Sequence, residues 1–361
     1  MEKGTYYGQR LERLAARIDE AGADSFVTLA APHIRYLTGF TGEEAFLLAI
    51  GGSVHLVVDG RFTTQAREEC PWLDVIEYSG HCTKVMAPLV AQGHAHWTAF
   101  EKGRVSYLQL ESMRSAFASA VMVPSENLVE GMRMVKDETE LTLLRKAGHV
   151  ADQAFRAALP QVRPGVTEND VAATLEFQMR KAGAQGTSFA TIVGSGPRGA
   201  LPHGVASDRV LQTGDVVVID FGVNYQGYMS DCTRTVALGV QPDDVMATYE
   251  HLLAAQALGL QLVKPGAGCR AVDSAVRAML GENALAQYFT HGLGHGVGLE
   301  IHEAPRLSQS SDAVLEAGQV VTVEPGVYLP GRYGMRIEDC VIVTVDGCEP
   351  LTDLPKEFVI A

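Results

Sequence analysis

The chain has 361 residues, of which 47% are hydrophobic and 20% are charged, a composition typical of a folded globular protein. Its formal net charge of −14 argues against a basic face for non-specific binding to nucleic acid or to an anionic membrane. A chain of this length exceeds what one hydrophobic core usually supports, so we expect two domains.

The N-terminal part of the chain alternates predicted helices and strands. Its first residues are charged and lack the apolar core of a signal peptide, and residues 10–21 predict an amphipathic helix. The segments SFVTLA, AFLLAI and VHLVV predict short strands, and residues 60–70 and 106–119 predict helices. No run of apolar residues is long enough to predict a membrane span. We therefore expect an α/β domain over residues 1–128.

The remaining residues, 129–361, predict a second domain of the α+β class. A long helix is expected from Lys136 to Leu159, with Asp137 and Glu138 in its first turn, and the next helix has Thr167 as its N-cap. The other predicted elements are strands near 189–193, 215–222, 228–238, 319–325 and 335–345 and helices near 243–262 and 270–280.

Two aspartates fall in a predicted β-hairpin. In GDVVVIDFGVNYQGYMSDCTRT, a hairpin centred between Tyr225 and Gln226 places Asp220 opposite Asp231. Opposed side chains lie about 4.5–5.5 Å apart at Cβ, so two carboxylates in these positions repel each other. A divalent cation between them reverses the sign of that interaction, and the hairpin therefore predicts a metal site.

Two glutamates fall in a second predicted hairpin with the same arrangement. In VVTVEPGVYLPGRYGMRIEDC, a hairpin centred on Gly331 places Glu324 opposite Glu338. Pro325 has no backbone N–H to donate to the ladder of strand hydrogen bonds, so a β-bulge at this position is the alternative to a regular pairing. A single acid in a strand usually faces solvent, but four acids in otherwise apolar strands need a neutralising partner.

Histidines cluster in HGLGHGVGLEIHE. His291 and His295 have the spacing of a zinc-protease helix, but the interspersed glycines favour an extended or irregular segment. Three histidines so close together, with His302 as the third, indicate a site. Four carboxylates with one imidazole suit Mn²⁺, Co²⁺, Fe²⁺ or Zn²⁺. Bridging carboxylates can hold two such ions about 3.5–4 Å apart and activate a water for hydrolysis.

These segments resemble the pita-bread metallopeptidases, the family of methionine aminopeptidase, aminopeptidase P and prolidase, and are most similar to its Xaa-Pro branch. VVIDFGVNYQGYMSDCTRT is similar to the family's two-aspartate hairpin, HGLGHGVGLEIHE to its histidine segment, and VEPGVY and RIEDC to its glutamate motifs. HIRYLTGFTG and DGRFTTQA resemble its N-terminal domain. The resemblance spans nearly the whole chain. It implies a creatinase-type N-terminal α/β domain over residues 1–128 and a pita-bread catalytic domain over residues 129–361.

The resemblance also implies a role for each site residue. Two divalent ions, most simply Mn²⁺, would be bound by five side chains, namely Asp220, Asp231, His295, Glu324 and Glu338. Glu324 would also transfer a proton. His203 in ALPHG and His302 would contact the substrate carbonyl or the tetrahedral intermediate, and His291 would line the proline pocket. Tyr328 and Arg336 would support the ligands.

The implied activity is hydrolysis of the Xaa-Pro bond at peptide N-termini by a homodimeric Xaa-Pro aminopeptidase. Prolidase, which accepts only Xaa-Pro dipeptides, is the alternative, because loops that the sequence does not place decide peptide length. A non-catalytic peptide-binding module and a creatinase-type amidinohydrolase are disfavoured, because all five ligand positions are intact. Six cysteines without a C-x-x-C pair predict reduced thiols in a cytoplasmic protein.

Overall fold

The computed structural model describes residues 3–360, and contacts divide the chain into two compact units, Met1–Arg133 and Met134–Ala361. The domain boundary expected between residues 128 and 129 stays a prediction. The short helix Glu130–Arg133 lies in the first unit.

The first unit is a mixed sheet with helices. Its elements are α1 (Lys3–Glu20), β1 (Ser25–Thr28), α2 (Ala31–Thr38), β2 (Phe46–Ile50), β3 (Ser53–Asp59), α3 (Thr63–Glu69), β4 (Asp74–Tyr78), α4 (Thr83–Gln92), β5 (Trp97–Glu101), α5 (Tyr107–Ala116), β6 (Val121–Ser125) and α6 (Glu130–Arg133). The strands are ordered β4-β3-β2-β1-β5-β6. The β1–β2 and β2–β3 pairs are antiparallel and the other neighbours are parallel. The expected α/β class is confirmed.

Every element predicted in the first unit is present, but the first helix begins at Lys3 rather than at residue 10. The sequence did not predict α2, because most of its side chains are buried and it lacks the polar face that marks an amphipathic helix. Its ends do carry local signals, namely a proline in the first turn and Gly39 in the left-handed conformation with φ 80°.

The second unit contains two helix pairs and several antiparallel strand pairs. Its elements are α7 (Glu138–Ala158), α8 (Glu168–Lys181), β7 (Gly186–Thr187), β8 (Ile192–Ser195), β9 (Val216–Phe221), β10 (Val223–Tyr225), β11 (Tyr228–Met229), β12 (Cys232–Ala237), α9 (Asp243–Leu262), α10 (Cys269–Gly281), β13 (Gly294–Gly296), β14 (Glu303–Leu307), β15 (Val320–Val323), β16 (Gly326–Leu329), β17 (Tyr333–Arg336), β18 (Asp339–Val343), β19 (Cys348–Pro350) and β20 (Val359–Ile360).

Two hydrophobic cores support the second unit. One core packs α7 and α8 against the sheet ordered β20-β12-β9-β8. The other packs α9 and α10 against the sheet ordered β14-β13-β15-β18-β19 and the β16–β17 hairpin. Each sheet therefore has a helix pair behind it, which fixes the strand ends that carry the predicted site residues.

Capping boxes begin the first two helices of the second unit. Thr167 is the N-cap of α8, as predicted, and its hydroxyl accepts from the backbone N–H of Asp170. Asp137 is the N-cap of α7, and its carboxylate accepts from the backbone N–H groups of Thr139 and Glu140. The expectation that Asp137 lies in the first helical turn was therefore wrong by one residue. A short acidic side chain satisfies unpaired N–H groups best from the cap position.

The aspartate hairpin differs from the prediction by one residue at its turn. Tyr225 pairs with Tyr228, so the turn is centred between Gln226 and Gly227. The φ angles of these two residues are 49° and 82°, as a two-residue hairpin turn with both central residues left-handed requires. Asp220 consequently pairs with Thr233, and the expectation that it directly faces Asp231 was wrong.

The glutamate hairpin has the predicted register. Gly326 pairs with Arg336 on one side of Pro325, and Val323 pairs with Asp339 on the other side, so both ladders are centred on Gly331. Glu324 and Glu338 therefore fall opposite each other, and Pro325 does not shift the pairing.

The six cysteines, all within the described residues, are free. Within residues 3–360, helices that combine the length and the apolar character needed to cross a membrane are absent.

Candidate metal centre

Five acidic and imidazole side chains of the second unit line one cavity of about 640 Å³. Asp220 extends from β9, and Asp231 immediately precedes β12. His295 is the central residue of β13, Glu324 directly follows β15, and Glu338 directly precedes β18. The structure thus brings together all five residues that the sequence proposed as metal ligands.

Glycines allow the histidine-bearing strand to lie against its neighbours. A Cβ on Gly294 would lie 2.0 Å from the carbonyl oxygen of Thr322, and one on Gly296 would lie 2.3 Å from that of Ala304. Neither position accepts a side chain without moving backbone. The expectation of an extended or irregular segment instead of a helix agrees with the structure, in which Gly294–Gly296 is a short strand.

The imidazole of His295 is oriented toward the acids by its own backbone. Its Nδ1 lies 3.0 Å from the carbonyl oxygen of Gly296, which requires the proton to be on Nδ1. Its Nε2 lies 3.5 Å from Asp231 Oδ2 and 3.4 Å from Glu324 Oε1. One ligand atom each of Asp231, His295 and Glu338 lie within 4.8 Å of one another, a spacing that one ion can bridge.

Crowding and burial make the carboxylates difficult to ionise. Burial, with the nearby charges of Glu338 and Asp220, raises the pKa of Asp231 well above its usual value. Burial, with the charges of Glu324 and Asp220, does the same to the pKa of Glu338. Burial also raises the pKa of Glu324 to about 7, against the opposing effect of Arg336. Like charges in a low-dielectric site need a counter-charge to remain ionised.

Burial has the opposite effect on the bases of the cavity. It lowers the pKa of His295 to about 4 and that of His291 to about 4, so both rings are neutral near pH 7. A neutral imidazole with a lone pair on Nε2 is the form that binds a metal ion.

Two carboxylate oxygens in the cavity, Asp220 Oδ1 and Asp231 Oδ1, are buried and have no hydrogen-bond partner among the described residues. An unpartnered buried acceptor costs about 1–3 kcal/mol. A hard divalent cation would satisfy both oxygens and neutralise the crowded acids, so the residues present fit such an ion.

Three side chains hold the acids in place. Arg336 donates to Asp220 Oδ2 at 2.5 Å and to the hydroxyl of Tyr328 at 2.7 Å. Thr233 donates to Glu338 Oε2 at 2.6 Å, and Thr322 donates to Glu324 Oε1 at 3.2 Å. Neither threonine was predicted from the sequence. Each lies two residues from a predicted ligand, so the alternation of side chains along a strand was the signal that could have found them.

The other predicted histidines lie in the wall of the same cavity, as His203, His291 and His302. His291 Nε2 lies 2.9 Å from the hydroxyl of Tyr328. The rings of His302 and His295 meet edge to face, 4.4 Å apart at their centroids. Arg306, an exposed residue of β14 that was not predicted from the sequence, also lines the cavity.

Comparison with known proteins extends these observations over the whole chain. The model of metallopeptidase family M24 matches residues 142–345, and that of the creatinase/prolidase N-terminal domain matches residues 10–135. An Xaa-Pro dipeptidase of Pyrococcus furiosus is 35% identical over 351 residues, which cover 97% of this chain and 99% of that protein.

Two solved structures are similar over nearly their full length. An Xaa-Pro dipeptidase from Bacillus anthracis has a TM-score of 0.96 at 40% identity, covering 98% of this chain and 100% of that chain. An X-Pro aminopeptidase from Thermotoga maritima has a TM-score of 0.89 at 39% identity, covering 96% and 100%. The expected creatinase-type N-terminal domain and pita-bread catalytic domain are thereby confirmed. The chain belongs to metallopeptidase family M24, in its Xaa-Pro branch.

Proposed function

We propose that this metallopeptidase hydrolyses the Xaa-Pro bond at the N-terminus of peptides, with two divalent metal ions. The proposed ligands are Asp220, Asp231, His295, Glu324 and Glu338. The observation that carries the proposal is the convergence of these five side chains in one cavity with two unpartnered carboxylate oxygens. The names of the Xaa-Pro-cleaving relatives support the choice of substrate bond.

The chain's own groups have separate tasks in the reaction. Bound divalent ions supply Lewis acidity toward the attacking water and the scissile carbonyl. Glu324 accepts a proton from the water and returns one to the leaving proline nitrogen. Its carboxylate borders the cavity close to His295, and burial raises its pKa to about 7, which suits a group that both takes and gives a proton near neutral pH.

The histidines of the cavity wall bind the substrate. His203 and His302 donate to the carbonyl oxygen and to the negative charge that develops on it. His291, held by the hydroxyl of Tyr328, borders the proline ring. Phe189, Ile192 and Ile301 add apolar surface to the wall.

Recognition through the carbonyl suits proline. The backbone nitrogen of proline carries no hydrogen, so a peptidase that holds its substrate through that N–H cannot bind an Xaa-Pro peptide. Polarisation of the carbonyl does not need that donor.

Three further features belong to the same proposal. Manganese is the proposed native metal, because an oxygen-rich ligand set with one imidazole suits Mn²⁺. A homodimer and a cytoplasmic location are proposed from the family resemblance, and six free cysteines are consistent with a reducing compartment.

The proposal is tested with the metal-stripped full-length chain. We expect no hydrolysis of an Ala-Pro peptide until Mn²⁺ is added, and little hydrolysis of the matched Ala-Ala peptide in either state. Equal cleavage of both peptides would contradict the proline specificity, and undiminished cleavage after metal removal would contradict the metal dependence.

The length of the substrate is a separate question with two candidates. Xaa-Pro aminopeptidase activity on longer peptides is the first. Xaa-Pro dipeptidase activity is the second, and the position of Arg306 favours it, because a guanidinium in the cavity wall can pair with the free carboxylate that follows proline only in a dipeptide.

Comparison of Ala-Pro with Ala-Pro-Ala separates the candidates. For a dipeptidase, the tripeptide is not cleaved, and Arg306→Gln raises KM for Ala-Pro by about 10–100-fold, the effect of losing a charge-assisted hydrogen bond. For an aminopeptidase, the tripeptide is cleaved and the substitution has little effect on it. Arg332→Gln is the matched control, since Arg332 lies exposed and pairs with Asp244 outside the cavity.

A further inference from the structure

A second group of metal-binding residue types lies within the first unit. His33 is in the first turn of α2, Glu101 is the last residue of β5, and Glu130 is the first residue of α6. The side chain of His33 is fully buried and that of Glu101 is 3% exposed, whereas that of Glu130 is 28% exposed. Buried imidazole and carboxylate groups are rare without a partner.

Each glutamate has one oxygen held by a neighbour and one oxygen left over. Thr28 donates to Glu101 Oε2 at 2.6 Å, and Arg104 donates to Glu130 Oε1 at 3.4 Å. The other oxygens, Glu101 Oε1 and Glu130 Oε2, are buried and have no hydrogen-bond partner among the described residues. The supporting bonds therefore orient the carboxylates without satisfying them.

The imidazole of His33 does not satisfy these two carboxylate oxygens by hydrogen bonding. Its Nδ1 lies 2.6 Å from Glu101 Oε1 and its Nε2 lies 3.7 Å from Glu130 Oε1. Neither ring nitrogen has a partner with hydrogen-bond geometry within residues 3–360. A cation bound by the ring and the two carboxylates would satisfy these unpartnered atoms, since zinc binds nitrogen and oxygen ligands at about 2.0–2.2 Å.

We propose that His33, Glu101 and Glu130 bind one divalent transition-metal ion, with Zn²⁺ as the cation that best fits one imidazole and two carboxylates. One ligand atom from each residue lies within 4.8 Å of the others. The ion would neutralise two carboxylates at once. The hydroxyl of Thr28 and the guanidinium of Arg104 have the place that supporting partners of metal ligands usually occupy.

The consequence of this site is structural. Its three ligands come from α2, the end of β5 and α6, which are far apart in sequence, so a bound ion links these elements within the first unit. Coordination of this kind stabilises the folded state, because the unfolded chain offers no preformed site. The inference does not depend on the proposed peptidase activity.

The test counts zinc in the full-length protein. Asp231→Asn with Glu338→Gln weakens the centre in the second unit, and this double variant is stripped with chelator, reloaded with Zn²⁺, desalted and analysed by mass spectrometry of the metal. We expect one zinc ion per chain. Adding His33→Asn should remove it, and adding Glu101→Gln should do the same by an independent change. Far-UV circular dichroism confirms that each variant is folded.

The control variant adds His94→Asn, which removes an exposed histidine of the same unit, and it should keep the ion. Zinc content that is unchanged by both His33→Asn and Glu101→Gln would overturn the proposal. So would crystals of the zinc-loaded protein with no anomalous peak between His33, Glu101 and Glu130 at the zinc edge.

Discussion

Individual carboxylates in the second unit are placed where they cannot all be charged without help. Asp231 and Glu338 are almost fully buried, and one oxygen of Asp231 has no hydrogen-bond partner among the described residues. A protein keeps such groups when a function requires them, because apolar residues of similar volume would be at least as stable. The crowding of carboxylates that destabilises the metal-free site is therefore relieved when a cation binds, and this relief contributes to the affinity for cations.

Substitution of Asp231 separates the effect of this carboxylate on metal affinity from its effect on the stability of the metal-free protein. We expect Asp231→Asn to lower Mn²⁺ affinity and activity by about 100-fold or more, since even supporting partners of ligands contribute about 10–100-fold. The metal-free variant should be no less stable than the metal-free parent, because the change removes a buried group that repels its neighbours. Calorimetric titration with Mn²⁺ and thermal unfolding in chelator measure the two quantities.

The control for that experiment is Asp244→Asn, an exposed aspartate paired with Arg332, which should leave Mn²⁺ affinity unchanged. A large loss of stability in metal-free Asp231→Asn would show that the carboxylate makes a favourable contact, contrary to the crowding that raises its pKa.

The raised pKa values also predict how the metal-free protein responds to pH. Burial raises the pKa of Glu324 to about 7 and those of Asp231 and Glu338 well above their usual values. An acid whose pKa is higher in the fold than in the unfolded chain stabilises the fold below the unfolded pKa, and this contribution is lost as pH rises through the folded pKa. Metal-free protein should therefore become less stable between about pH 5 and pH 8.

Mn²⁺ binding should release protons near pH 7, because the ion displaces them from these acids. Titration calorimetry in two buffers of different ionisation enthalpy measures the number released, and melting curves at several pH values measure the stability. Proton uptake on binding, or a metal-free melting temperature that rises steadily to pH 8, would contradict the assigned shifts.

At the scale of single elements, the two hairpins show what sequence can predict. Gly331 lies in a turn with apolar residues on both sides, so the centre of this turn could be predicted from the sequence. The pairing of Glu324 with Glu338 follows from that centre. The aspartate hairpin was misplaced because Gln226 is not an obvious left-handed residue, although its φ is 49°. A shift of the turn by one residue changes the partner of Asp220 from Asp231 to Thr233.

The same turn gives a prediction about stability. Gly227 has φ 82°, a conformation that costs about 1–2 kcal/mol for a residue with a side chain. Gly227→Ala should therefore destabilise the second unit by about that amount. Gly347→Ala, in the same unit, should have a smaller effect, because Gly347 lacks a positive φ and a Cβ there would meet nothing within 4 Å. Chemical denaturation in chelator compares the two variants, and equal effects would argue against the assigned turn.

At the scale of the whole molecule, the fold class and the two-domain organisation were predictable, because hydrophobic patterns and family-like motifs extend along nearly the full chain. The short strands β7 and β20 were not, since two residues carry no periodic pattern. The supporting roles of Thr233 and Thr322 depend on contacts between strands, which only the assembled second unit provides.

Two units with separate cores should also respond separately to metal. Both tryptophans of the chain, Trp72 and Trp97, lie in the first unit, so tryptophan fluorescence reports on its unfolding. Far-UV circular dichroism also detects the long helices α7 and α9 of the second unit.

A ligand at about 1,000 times its Kd stabilises the fold that binds it by about 4 kcal/mol. The His33→Asn variant is used so that the ion proposed for the first unit does not contribute. We expect Mn²⁺ to raise the midpoint of the circular dichroism transition by several degrees and to leave the tryptophan transition in place. Equal shifts of both signals would mean that the two units unfold as one cooperative structure, and the absence of any shift would contradict a metal centre in the second unit.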